Sequence, residues 1–238
     1  MQIMELLAFG NLSVPQLAEA LSAHPRTVRR VVAQLLEDEY VTVTDGHRRR
    51  IYAPTMRLVA LASHIVARSS LARAGRPYVA LAQERTGATA HLLVPSYDSV
   101  LCVARRAGTT EDGRPGLGEL VPAHCAAGGK MLLAWRDRWR ASLFARPLER
   151  LTSRTVTDVR DLRHELDAVR RQGYATEDGE VEPKVRAVAA AVRIGGDVAA
   201  ALSVSGGHFD IAAATPRVIE LADDLSADLS AAVADIDG

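Results

Sequence analysis

Lysine is almost missing from this chain. Lys130 and Lys184 are the two that occur in 238 residues, so arginine carries nearly all the positive charge. Acids and bases balance at 29 each, for a formal net charge of zero. That balance excludes a general polycation and confines any contact with nucleic acid to a local patch. Aromatic residues make up 4% of the chain against an apolar fraction of 48%, so alanine and valine do much of the core filling. No apolar run is long enough to span a bilayer, and nothing has the order of a secretory leader. The expectation is a cytoplasmic protein with reduced thiols. The two cysteines, Cys102 and Cys125, lie too far apart for a metal-type pair. Internal repeats and low-complexity tracts are absent from the sequence, as is the G-x-S-x-G elbow of many hydrolases.

What is present is a basic cluster near the N-terminus. Residues 13–39 read SVPQLAEALSAHPRTVRRVVAQLLEDE, two short helices joined by a tight turn. Ser13 suits an N-cap, with Gln16 three residues on to complete a capping box. Leu17, Ala18 and Leu21 share one face. Ser22, Ala23 and His24 break the pattern, and Pro25 suits the first turn of a new helix. Over residues 25–37, Val28, Val31, Val32 and Leu35 form the buried stripe. Arg26, Thr27, Arg29, Arg30 and Gln34 lie largely off it. Such a helix fits the major groove of double-stranded DNA, N-terminal residues against base edges. Val41 and Val43 then alternate with Thr42 and Thr44 as a half-buried strand does, and Asp45-Gly46 signals a hairpin. Arg48, Arg49 and Arg50 follow, before Ile51 and Tyr52. A basic two-stranded ribbon behind a reading helix is a wing, which sets arginines on phosphates or in the minor groove. Six arginines fall between His24 and Arg50, while Glu37, Asp38 and Glu39 gather at the far end of the helix. Residues 1–9 supply a preceding helix.

The length allows one large or two modest domains. Residues 55–70 read as a helix with Leu58, Leu61, Ala62, Ile65 and Val66 on one side. So narrow a stripe needs a partner, either the next domain or a second copy of the chain, the latter fitting a reader of paired half-sites. From Leu71 the pattern becomes mixed, with a helix over 72–85, a strand over 88–94, a turn at Tyr97-Asp98 and a strand over 100–105. A glycine-rich loop over 108–118, a short strand at Leu120-Val121 and helices over 128–144 follow. Asp158 caps a helix that Gly173 stops. A short strand over 174–176 leads to an acidic loop over 177–182. Apolar runs over 185–194 and 198–205 form a hairpin about Gly195-Gly196. Thr215-Pro216 opens the last helix.

Three blocks together resemble the IclR family of bacterial transcription regulators. They are SVPQLAEAL with PRTVRRVVAQLLEDEYV, then LVPAHCAAGGKMLLA, then LRHELDAVRRQGYATEDGEVEPKVRAVAAAVR with ALSVSG. The resemblance covers nearly the whole chain. It implies an α+β protein with a winged helix-turn-helix over 1–54, a linker helix over 55–70 and a GAF-like effector-binding domain over 71–238. It also implies an operator DNA partner, a small organic acid as effector, assembly as a homodimer or tetramer, and control of catabolic genes. Where the family usually has a glycine, Lys184 stands here, and Ala191 stands where a proline is frequent. The usual Asp-Asp-Glu-Glu run is Glu177-Asp178-Gly179-Glu180 here.

The sensing site follows from both lines of reasoning. His124, Cys125, Ala126, Ala127, Gly128 and Gly129 lead into a helix, where small residues let a ligand approach and free N–H groups attract anions. The resemblance places part of the effector pocket there. Ser203 and Ser205 lie two apart on a strand, so both hydroxyls share a face. Strand serines satisfied by backbone are the plainer reading of that pair. The resemblance also brings Glu177 and Ala187 to the pocket, where an ionised Glu177 would repel an acid. Lys130 is expected to be solvated. No cofactor is expected. Other readings stay open. One is a regulator whose sensing domain no longer answers a ligand. A second is a metal sensor using His91, Cys102, His124 and Cys125, although their spacing matches no zinc pattern. A third is an enzyme with Cys125 as nucleophile.

Overall fold

The structure, a computed structural model, describes residues 2–45, 50–109, 115–207 and 209–237. The chain is α+β and divides into two units, residues 1–68 and 69–238. The first unit opens with α1 (Gln2–Phe9), α2 (Val14–Ala20) and α3 (Pro25–Glu37). Gln16 Oε1 accepts from the Ser13 backbone N–H at 2.9 Å and from its hydroxyl at 2.7 Å, which fixes the start of α2. Ser22 takes a positive φ of 49° in the turn, and His24 caps α3 through Nδ1, which accepts from the Arg26 N–H at 3.2 Å. A hairpin follows, β1 (Val41–Asp45) and β2 (Arg50–Pro54), paired antiparallel from Val41 with Pro54 to Asp45 with Arg50. Leu12 and Tyr52 exchange both backbone hydrogen bonds, tying the chain before α2 to the hairpin. Leu7, Leu17, Val28, Val32 and Val41 form the core of this unit. Val31 departs from the expected stripe: it is 38% exposed, because Leu35 and Leu36 take the inner positions of the following turn.

The unit ends with α4 (Arg57–Arg68), held at its start by Thr55 and Arg57. The Thr55 hydroxyl donates to the Glu39 carbonyl at 2.6 Å, and Arg57 pairs with the Glu39 carboxylate at 2.6 Å. Within its unit α4 buries none of its side chains. The expected helix over 55–70 is shorter, because Ser69 caps the next one through its hydroxyl, which accepts from Ala72 N–H at 3.1 Å.

The second unit is a six-stranded sheet with helices on both faces. In chain order come α5 (Ser70–Thr86), β3 (Thr89–Ser96), β4 (Ser99–Arg106), β5 (Leu120–Pro122), α6 (Ala127–Trp135), α7 (Asp137–Phe144) and α8 (Val159–Gln172). Then come β6 (Tyr174–Asp178), β7 (Arg186–Ile194), β8 (Asp197–Gly206) and α9 (Ile211–Asp237). The strands run antiparallel in the order β5-β4-β3-β8-β7-β6. One face carries Leu92, Val188, Leu202 and Val204 against α5 and α9. The other carries Leu93, Cys102, Ala189 and Ala201 against α6 and α8. Alternation at period two sorts these residues to their faces. Two boundaries differ from expectation. Glu177 and Asp178 extend β6 and do not belong to an acidic loop, since each pairs with β7. The last helix starts at Ile211, because Asp210 Oδ1 accepts from Ala212 and Ala213 N–H at 2.9 and 3.2 Å. Pro216 lies inside that helix.

Candidate functional site

Two regions concentrate the expected site residues. On α3, Val28 and Val32 anchor the inner face. At about 100° per residue, Arg26, Thr27, Arg30 and Gln34 then fall within one outer arc, with Arg29 flanking it. All five side chains are exposed. Gln34 donates to Asp38 at 3.2 Å, one turn along. Val31 borders the same arc and adds an apolar contact of the kind that meets a thymine methyl. Ser13 does not join this surface: it is buried, and its hydroxyl is directed at Gln16. Its task is to set the entry of α2. Arg50 is exposed at the start of β2, while Arg48 and Arg49 lie outside the described residues.

The second region is a cavity under the start of α6. It measures about 20 Å³ and is lined by Leu93, Pro115, Val121, Ala126, Ala127, Gly128, Glu177, Val181, Val185, Ala187 and Ser203. A volume of that order holds about one water molecule. Ala126 caps α6 without a side-chain acceptor, so the first N–H groups of the helix have no partner within it. Gly128 is needed for space, since a Cβ there would lie 2.4 Å from Leu93 Cδ1. Ser203 Oγ donates to the Val188 carbonyl across the sheet at 3.0 Å, so its proton is engaged.

Three expected residues stand elsewhere. His124 is turned to the Glu149 carbonyl at 2.8 Å. Gly129 packs on the Ala123 backbone, where a Cβ would come within 2.2 Å of the carbonyl oxygen. Ser205 is buried on the same face of β8, one pleat beyond Ser203, and does not line the cavity. The apolar wall of Leu93, Val121, Val181 and Val185 escaped the sequence reading, because such residues look like ordinary core.

Charge around the cavity is buried and paired. Glu177 accepts the Glu180 N–H at 3.0 Å. Burial, opposed by that bond, pushes its pKa up to about 7. Lys130 is buried, contrary to expectation, and its Nζ lies 2.5 Å from Glu180 and 2.7 Å from Glu165. Burial works against its charge, yet the two carboxylates prevail and its pKa is raised. The loop bearing Glu180 is pinned by Thr155, whose hydroxyl donates to the Glu180 carbonyl at 2.7 Å, and by Thr152, which donates to Gly179 at 2.7 Å. Cys102 and Cys125 are both buried, and burial pushes each thiol up to about 12. A thiol so protonated at neutral pH is a poor nucleophile. Among the described residues no three or more of His, Cys, Asp and Glu converge on a metal position. No described helix is long and apolar enough to cross a membrane.

Residues 63–231 match the family model described as the bacterial transcriptional regulator IclR C-terminal. The HTH-type transcriptional regulator BhcR of Paracoccus denitrificans is 32% identical over 240 residues, covering 95% of this chain and 84% of that one. The Pca regulon regulatory protein of Pseudomonas putida is 28% identical over 200 residues, covering 82% and 67%. The crystal structure of an IclR homologue from Microbacterium hydrocarbonoxydans, complexed with 4-hydroxybenzoate, superposes with a TM-score of 0.72 at 25% identity, covering 93% and 92%. These relatives are transcription regulators, which sets aside the enzymatic reading, and with a family model spanning most of its length the chain belongs to the IclR family of bacterial transcriptional regulators.

Proposed function

We propose that this regulator reads an operator through α3 and the hairpin of residues 1–54, pairs with a second copy through α4, and senses a small organic acid in residues 69–238. The cavity under α6 carries the sensing half of this reading. It joins unpartnered helix N–H groups, which favour a carboxylate, to a buried hydroxyl and a carboxyl group whose pKa is near neutrality. A protonated Glu177 removes the repulsion an acid would meet there. The cavity admits about one water as it stands, so an effector selects a wider state and shifts the population of operator-competent dimers. The pairing half rests on α4, where Leu61 and Ile65 are exposed and Ile65 reaches 63%.

One experiment addresses the three parts. A duplex selected from a random library by the wild-type protein is used in gel shift. Arg29→Ala and Arg30→Ala should weaken specific binding by about 1–3 kcal/mol where the residue reads a guanine. Ser203→Ala should keep operator affinity and lose its response to added aromatic acids. Sedimentation of the complex should give two chains per half-site pair. Unchanged affinity in both arginine variants removes α3 as the reader. A retained acid response removes the Ser203 hydroxyl from the site, and one chain per site removes the pairing.

A further inference from the structure

Beside Ser203, just behind the residues that line the cavity, stands a histidine that the sensing chemistry has not used. His91 on β3 stands opposite Ser203 on β8, and Leu93 stands opposite Ala201. Alternation places His91, Leu93 and Ser203 on one face. Leu93 and Ser203 both line the cavity. His91 is 0% exposed, and neither Nδ1 nor Nε2 makes a hydrogen bond of full geometry. A buried polar group left in that state costs about 1–3 kcal/mol, so the imidazole burdens the fold unless something completes it.

The surroundings say what is missing. Burial, with the Arg105 guanidinium nearby, pushes the imidazole down to about 3, so it is neutral and carries one N–H and one lone pair. Arg105 is also its partner across β3 and β4. The Pro115 backbone acts in the opposite sense and favours a proton on the ring. With that N–H turned toward Pro115, itself a cavity residue, the other nitrogen offers a lone pair. Its complement is a donor, which an ionised carboxylate does not have.

Distance along the strand sets the reach. Gly128, at the start of α6, sits over Leu93 and Ala201. His91 lies two residues before Leu93, which at about 3.4 Å per residue is about 7 Å along β3. We propose that His91 reads a hydroxyl of the effector, which is therefore an organic acid with its carboxylate at the start of α6 and an O–H donor about 7 Å away. A benzene ring bearing the two groups at opposite positions has this span. The proposal rests on the reading of the cavity as the effector site.

The test is calorimetric titration of the full chain with benzoate and with 4-hydroxybenzoate, on the wild type, His91→Phe and His91→Leu. The wild type should bind 4-hydroxybenzoate at least about tenfold more tightly than benzoate. Both variants should bind the two acids alike and keep the benzoate affinity of the wild type. At least one should also melt no lower than the wild type, because the orphaned polar atoms are gone. Equal binding of the two acids by the wild type, or a preference that survives in both variants, overturns the role of His91 and leaves the cavity as the effector site. Failure of both acids to bind the wild type overturns the cavity reading and the inference with it.

Discussion

Lys130 stands on α6 with its Nζ 2.7 Å from Glu165 on α8 and 2.5 Å from Glu180 beyond β6. Its side chain is 3% exposed and that of Glu180 9%, so this is a charge pair removed from water. Breaking such a pair from one side leaves the other charge uncompensated, which costs about 3–5 kcal/mol. Lys130→Met should destabilise the protein by that order in urea unfolding. Adding Glu180→Gln to Lys130→Met should recover much of the loss, since a matched neutral pair carries no stranded charge. A double variant no more stable than the single one would mean that Lys130 serves by packing alone. None of this was legible in the sequence. No acid lies within a helical turn of Lys130, and Glu180 is 50 residues away. A lone lysine behind two glycines reads as solvated because its partners become neighbours only through the fold.

At the scale of elements, the starts of α2, α3 and α8 were legible because their signals are local. Ser13 with Gln16, His24 with Pro25, and Asp158 each act within a few residues of themselves. The exposed arc of α3 was legible too, from the spacing of Val28 and Val32, whereas Val31 needed the positions of its neighbours. The two glycines opening α6 could not be told apart in sequence, since ligand approach and close packing ask for the same residue. Their surroundings separate them. A Cβ at Gly129 meets the Ala123 backbone at 2.2 Å, and backbone cannot swing aside. A Cβ at Gly128 meets the tip of the Leu93 side chain, which can move, although it does so into the cavity. Gly129→Ala should therefore lower stability by about 1–3 kcal/mol or more. Gly128→Ala should cost less and instead weaken binding of an acid probe such as 4-hydroxybenzoate. Thermal melts and titrations of the two variants check this. Equal destabilisation with unimpaired binding would remove Gly128 from the site.

Over the whole molecule, charge balance hides an uneven distribution: arginines outward on α3, carboxyl groups inward beside the cavity. The sequence showed the first because a helix exposes what its period leaves outside. The second depended on β6 extending through Glu177, which took that side chain out of water. The result is a pH dependence of defined sign. Glu177 faces the Glu180 backbone, with the Glu180 carboxylate and Lys130 acting on it, and its pKa rises from 4.5 to about 7. Below 4.5 both folded and unfolded chains hold the proton. Between 4.5 and about 7 the unfolded chain releases it while the folded chain retains it. The unfolded state then binds fewer protons, so stability falls as pH rises through this window and levels off above it. Glu177→Gln has no proton to lose there. Its stability relative to the wild type should climb from pH 4.5 to about 7 and stay constant above, a difference in which other titrating groups cancel. In the wild type alone, binding of 4-hydroxybenzoate should weaken between about pH 6 and 8, as Glu177 ionises against the bound carboxylate. Urea unfolding and calorimetric titration across that range read both effects. A flat difference curve would show Glu177 ionising as it does in water. A pH-dependent affinity that persists in Glu177→Gln would move the responsible proton to another group.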